Sequence, residues 1–259
     1  MDLGIKGRKA IICASSRGLG RACATELAAA GCDVVINGRD EKVTNATADE
    51  IRKATGAKVT IVLGDVSTKA AQEALIAACP EPDILVNNNG GPPPKGFRDL
   101  TREAMADGVI QNMITPIELI QRVIDGMIAR KFGRIVNIVS SSVKAPIVGL
   151  DLSSGARAGL IAFLAAAARE VAPANVTINH ILPGMFDTDR LRGTTDKMAS
   201  LKGVTVEEMA AIRQKETPAG RFGTPDEFGK LCAFLASAHA GYINGQSILI
   251  DGGAIKTAF

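Results

Sequence analysis

Seven short runs rich in β-branched and aliphatic residues recur along the chain with longer helical stretches between them: Lys9 to Ala14, Asp33 to Asn37, Lys58 to Leu63, Asp83 to Asn87, Arg134 to Ser140, Thr177 to Leu182 and Ser247 to Ile250. Antiparallel neighbours can be joined by a tight turn, whereas parallel neighbours need a crossover of a dozen or more residues. The alternation therefore predicts an α/β fold, a doubly wound parallel sheet of seven strands with helices on both faces. In the first crossover, Leu19, Ala22, Cys23, Leu27 and Ala30 fall at three- and four-residue intervals and predict one apolar stripe laid on that sheet. No long linker or charge block divides the 259 residues, so the reading is a single domain over 1–259.

Composition narrows the class further. Hydrophobic residues make up 46% of the chain but aromatics only 3%, with no Trp, so the core must be built of Ala, Val, Ile and Leu. A formal charge of +3 gives no single-signed field to draw nucleic acid or an anionic membrane, and neither is expected as a partner. Met1 to Gly7 lacks an apolar leader core, and the apolar run Leu160 to Ala168 is far shorter than the roughly twenty residues that span a bilayer. A cytoplasmic protein is expected. Cys13, Cys23, Cys32, Cys79 and Cys232 show no metal-like spacing and read as buried thiols; His180 and His239 read as structural, and no metal site is expected.

Between the first strand and first helix lies Ala14-Ser15-Ser16-Arg17-Gly18-Leu19-Gly20. Gly18 and Gly20 would let the backbone approach a pyrophosphate at the helix N-terminus, where unpaired N–H groups and the helix dipole favour an anion. In this turn the chain resembles the short-chain dehydrogenase/reductase family, whose TGxxxGxG pattern falls on Cys13, Ala14, Gly18 and Gly20, with Ala14 in place of the first glycine. The likeness runs from about Leu3 to Gly253 and takes in Asp65 and Val66, Asn87-Asn88-Asn89-Gly90, and Pro183-Gly184 with Thr188. It implies a Rossmann-type fold and places these residues on the adenine, strand-bracing and nicotinamide sides of a dinucleotide site. Gly38 stands where a protein of this kind that prefers NAD carries an acid for the ribose hydroxyl. Arg39 and Arg17 would instead grip a 2′-phosphate, so NADP(H) is expected over NAD(H).

The same resemblance implies a catalytic set of Asn, Ser, Tyr and Lys. Asn112 and Ser140 occupy the first two positions, with Ser141 and Ser142 as neighbouring candidates for the hydroxyl. Ser153 stands at the tyrosine position and Arg157 at the lysine position, so the usual proton donor is missing. Serine is far less acidic than a phenol, and arginine does not deprotonate; Arg157 is expected to hold ribose or supply charge. Asp151, Lys144 and Tyr242, the sole tyrosine, are the candidate replacements. The runs Asn89 to Pro94 and Ser154 to Leu160 resemble a β-ketoacyl-ACP-reductase-like subgroup that departs from YxxxK. The expected function is an NADP(H)-dependent oxidoreductase on a small carbonyl or hydroxyl substrate, with a non-standard proton donor and homotetrameric assembly. Its alternatives are a catalytically impaired dinucleotide-binding sensor or partner subunit, and a non-redox use of the fold.

Overall fold

The computed structural model describes residues 1–256; residues 257–259 of the expected domain lie outside it. Seven strands, β1 (Lys9–Ile12), β2 (Asp33–Gly38), β3 (Val59–Leu63), β4 (Ile84–Asn87), β5 (Gly133–Ile138), β6 (Val176–Pro183) and β7 (Ser247–Ile250), form one sheet in the order β3-β2-β1-β4-β5-β6-β7. Every pairing is parallel. The fold class is the one expected. The strand ends differ where local chemistry intervenes: β1 stops at Ile12 because Ala14 turns the chain at φ +43°, and β5 stops at Ile138 because Ser140 begins a tight turn over Ser141–Val143.

Among the described residues, nine α-helices surround this sheet: α1 (Gly18–Ala29), α2 (Glu41–Thr55), α3 (Lys69–Ala78), α4 (Arg102–Val109), α5 (Thr115–Ala129), α6 (Asp151–Val171), α7 (Asp189–Lys202), α8 (Val206–Lys215) and α9 (Pro225–Leu235). Alternate residues of a strand point to opposite faces, and β1 shows the consequence. Ala10 and Ile12 pack with Cys23 and Leu27 of α1, Ile51 of α2 and Phe228 of α9. Ile11 and Cys13 pack on the other face with Leu75 of α3, Leu119 and Val123 of α5, and Leu160 and Leu164 of α6. The stripe on α1 is rotated from the expected one: Gly20, Cys23, Ala24, Leu27 and Ala28 are buried, while Ala22 and Ala30 are half-buried. The reason is α9, which comes so close that a Cβ on Gly229 would sit 2.6 Å from the Ala22 carbonyl oxygen. All five cysteines are free and buried, as expected, and burial pushes the Cys13 and Cys32 thiols up to about 12. None of the described helices is long and apolar enough to cross a membrane.

One polar row crosses the middle of this apolar sheet. Asn87, Asn137 and His180 sit opposite one another on β4, β5 and β6. Asn87 Nδ2 donates to Asn137 Oδ1 at 2.9 Å, and Asn137 Nδ2 lies 3.3 Å from His180 Nδ1, which makes that ring nitrogen the acceptor. Burial holds the His180 imidazole down at about 4, so it is neutral at ordinary pH. An unfolded histidine takes up its proton near pH 6.5, so between there and about 4 the unfolded chain binds more protons than the folded one. Stability should therefore fall as pH drops through this window, with His180 contributing on the order of a few kcal/mol. Urea unfolding of wild type and His180→Asn from pH 7 to pH 4 checks this; an identical pH slope in the variant would contradict it.

Candidate functional site

At the point where the strand order reverses, between β1 and β4, the loops leaving the two strands run to opposite sides and open a crevice. The first loop is held tightly. Ala14 N–H donates to Asn37 Oδ1 at 3.0 Å, and the Ala14 carbonyl accepts from Asn88 Nδ2 at 3.0 Å, which ties the loop after β1 to the loop after β4. The positive φ of Ala14 is one a glycine adopts without penalty, and the methyl group there carries backbone strain of about 1 kcal/mol. Gly20 faces the same bond: a Cβ on it would strike the Ala14 carbonyl oxygen and come within 2.8 Å of Asn88 Nδ2.

A cleft of about 420 Å³ follows from this arrangement. Of the residues expected at a cofactor, Ala14, Ser16, Arg17, Gly18, Leu19, Gly38, Arg39, Asp65, Val66, Asn88, Asn89, Gly90 and Thr188 line it. Ser15 does not: its N–H donates to the Asn37 carbonyl, its hydroxyl donates to the Ile12 carbonyl and accepts from Asn37 N–H, and it is fully buried. Gly20, Arg157, Pro183 and Gly184 also stand behind the lining, Arg157 because it lines a smaller cavity beside Asn89 and Gly184 because Asp251 packs against it. Sequence reasoning passed over Asn37, Gly64, Asp189 and Arg190, which line the cleft too. Asn37 had a signal, a polar residue at the buried end of a strand.

The helix that faces the cleft is left open at its N-terminus. Side-chain caps close α2 (Asp40), α3 (Thr68), α4 (Thr101), α7 (Thr188), α8 (Thr205) and α9 (Thr224), whereas α1, preceded by Arg17, has none, as is also true of α5 and α6. Its first-turn N–H groups are free of side-chain acceptors and suit an anionic group. Beyond them, Arg17 Nη2 lies 3.5 Å from Asp40 Oδ2 and Arg39 Nη1 lies 3.7 Å from Asp65 Oδ2. Asp40 is thereby turned to its helix cap and to Arg17. Both pairs are well exposed and contribute little to stability, so an incoming anion can exchange for them. Burial works against ionisation of Asp65, but hydrogen bonds from Ser67 and the Arg39 charge outweigh it and hold the carboxyl below its usual range. Gly38 is glycine by necessity: a Cβ there would collide with Thr44 Oγ1 and lie 2.8 Å from Ser16 Oγ.

The other end of the site gathers the residues expected to do chemistry. The Ser154 hydroxyl donates to Ser142 Oγ at 2.8 Å, and Ser142 donates its hydroxyl at 2.8 Å and its N–H at 3.1 Å to Ser140 Oγ. Ser142 is buried and Ser140 half-buried, so Ser140 ends this hydroxyl chain with its own proton unspent. Arg157, buried on α6, donates through Nε to Ser153 Oγ at 3.0 Å, through Nη1 to the Ile138 carbonyl at 2.6 Å and through Nη2 to the Asn89 carbonyl at 3.4 Å. Burial first, and then the Arg190 cation, pull its guanidinium down to about 10, so it remains charged at neutral pH. Asn112 sits in a π-helical turn (Ile110–Ile114) between α4 and α5; its Nδ2 donates to the Gly108 carbonyl at 3.3 Å and its Oδ1 has no partner among the described residues. Asn112, Arg157, Asn87 and Thr115 line a cavity of about 20 Å³, room for one water molecule, and Asn87 Oδ1 and Thr115 Oγ1 are likewise unpartnered. Lys144, Asp151 and Tyr242 are exposed, and Tyr242 makes none of the hydrogen bonds of this cluster.

A family profile described as Enoyl-(Acyl carrier protein) reductase matches residues 13–254. The 3-oxoacyl-[acyl-carrier-protein] reductase FabG of Aquifex aeolicus is 34% identical over 257 residues, covering 98% of this chain and 99% of that protein. The chain belongs to the short-chain dehydrogenase/reductase family. Among other members, the NADPH-dependent reductase BacG of Bacillus subtilis is 31% identical across 96% of this chain and 98% of its own length. The crystal structure of L-sorbose reductase from Gluconobacter frateurii, complexed with NADPH and L-sorbose, superimposes with a TM-score of 0.93 at 28% identity, covering 99% of this chain and all of that one. Within the short-chain dehydrogenase/reductase frame, Gly38 provides a direct test of the packing described above. Gly38→Asp should cost about 1–3 kcal/mol by overpacking against Thr44 and Ser16. It should also fail to create an NAD site. Unchanged urea stability with tightened NAD binding would contradict both.

Proposed function

We propose that this chain is an NADP(H)-dependent oxidoreductase that interconverts a small carbonyl compound and its alcohol, with a site that lacks the tyrosine acid. The observation that carries the reading is a crevice lined by Arg17 and Arg39 and also by Asn89, whose carbonyl accepts from Arg157, the residue that holds Ser153 and the end of β5. Arg17, Arg39 and the side-chain-free N-terminus of α1 would hold the 2′-phosphate and pyrophosphate; Gly38 itself presents no carboxylate, and the phosphate would displace those of Asp40 and Asp65 from the two arginines. When bound, NADPH supplies a hydride to the carbonyl carbon. Ser140 donates its free hydroxyl proton in a hydrogen bond to the carbonyl oxygen, and the fixed charge of Arg157 stabilises negative charge developing there. Asn112 keeps an acceptor oxygen beside Arg157 and serves a water-borne proton path. NADPH in the names of BacG and of the sorbose reductase complex supports the cofactor, and the reductase activities named for the relatives favour an enzyme over a sensor.

The apolar outer faces also support homotetramer formation. Phe163 on α6 is 55% exposed, and Ile110 and Ile114 of the π-helical turn are 40% exposed each, surfaces that an assembly would cover. Light scattering counts the subunits directly. We place the protein in the cytoplasm, in keeping with five buried free thiols.

Calorimetric titration with NADP(H) and NAD(H) tests the cofactor. NADP(H) should bind more tightly, and Arg39→Asp should weaken it by roughly ten- to a hundredfold through loss of a charge-assisted contact. Tighter NAD(H) binding, or no effect of Arg39→Asp, would overturn the assignment.

A further inference from the structure

The first turn of α7 brings a second guanidinium, that of Arg190, against the loop after β4 and beside Ser153. Gly91 has no side chain, and at the point a Cβ would occupy, Arg190 Nη2 and Nη1 lie 3.0 and 3.2 Å away and Ser153 Oγ lies 3.5 Å away. Ser153 Oγ in turn accepts from Arg157 Nε, so a serine hydroxyl stands between two arginines. No carboxylate compensates them among the described residues. The acids nearest Arg190 in the chain, Asp187 and Asp189, are taken by Arg192, at 2.9 and 3.8 Å. Arg157 is satisfied by two carbonyls and a hydroxyl, which leave its charge unneutralised. Two like charges held this close repel, and the depression of the Arg157 guanidinium by Arg190 reports that repulsion. A site that gathers uncompensated cations beside a free hydroxyl is built for an anion.

We propose that the substrate is an oxo acid, whose carboxylate is received by Arg190, with the Ser153 hydroxyl and the Arg157 charge beside it, at the place where the missing side chain of Gly91 lets the Arg190 guanidinium come this near. The proposal rests on the reductase reading and names its substrate class. A planar carboxylate matches the planar fork of a guanidinium, and Arg190, exposed at the first turn of α7, is free to swing onto it. Neutralising the second cation also relieves its repulsion of Arg157, so the carboxylate of the correct substrate tightens the site that a neutral ketone leaves strained.

The test compares matched acids and methyl esters, pyruvate with methyl pyruvate and acetoacetate with methyl acetoacetate, by NADPH oxidation. In parallel, oxamate is titrated calorimetrically onto the NADPH-loaded protein. Acids should exceed their esters in kcat/KM by about tenfold or more, Arg190→Gln should collapse that ratio by about tenfold, and Arg190→Lys should restore part of it. Esters used as well as acids, or a ratio indifferent to Arg190→Gln, would overturn the proposal and leave the reductase reading standing. Arg190→Gln that weakens NADPH itself while sparing the acid-to-ester ratio would also overturn it, by assigning Arg190 to the cofactor. If no carbonyl compound is reduced, the reductase reading fails and calorimetry decides alone. Oxamate binding that Arg190→Gln weakens about tenfold upholds the carboxylate site, and absent or unaltered binding refutes it.

Discussion

The bond from Asn88 Nδ2 to the Ala14 carbonyl, 3.0 Å long, joins the two loops between which the sheet reverses its winding, and the site is organised around it. It continues the pairing of β1 with β4 past the strand ends and ties the glycine turn to the loop that carries Asn89, Gly90 and Gly91. Several sequence choices follow. Gly20 must lack a side chain because that bond occupies the space, and Ala14 is held at a positive φ so that its carbonyl can reach the amide. The strained alanine is therefore a local cost offset by a contact between two loops that would otherwise diverge.

From this joint the chemistry extends along β5. Arg157 reaches from α6 to the carbonyl of Ile138 at the end of β5 and to the carbonyl of Asn89 in the loop after β4, so one buried cation ties helix, strand and loop together. A lysine of the usual family pattern has three donors on a flexible stem; the arginine has five in a plane and spends three of its nitrogens on fixed acceptors. In the reading we propose, Arg157 takes the place of a group that can give up a proton and only supplies charge. Transition-state stabilisation by a fixed cation, with protons delivered from elsewhere, is the chemistry such a site favours.

How much of this was legible beforehand depends on the length scale of each feature. The seven parallel strands were readable because alternation of short β-branched runs with long helical stretches leaves few other folds, and the glycine turn was readable because pyrophosphate binding demands small residues at fixed places. Gly38 was legible as a missing acid, but not as a packing requirement, since Thr44 and Ser16 meet it from other elements. Ser15 looked like part of the cofactor turn and proved to be its internal strut, because side-chain direction in a turn depends on φ and ψ that sequence does not specify. The row Asn87, Asn137 and His180 is a matter of strand register, visible only once three distant segments are paired. Arg190 was invisible for the same reason: its meaning lies in Gly91 and Ser153, 99 and 37 positions before it in the chain.

The central claim is that Ser153 and Arg157 have displaced the tyrosine and lysine acid pair from a site that otherwise retains the family's geometry. It is tested most directly by measuring NADPH oxidation on simple neutral ketones for wild type and for Ser153→Tyr/Arg157→Lys. Arg157 already reaches the Ser153 side chain across one helical turn, so the new ammonium stands beside the new phenol and favours its ionised form. Wild type should turn these ketones over slowly and the double variant should gain roughly a hundredfold or more, the range that a positioned general acid contributes. Fast wild-type turnover, with no gain in a folded double variant that still binds NADPH, would contradict the account.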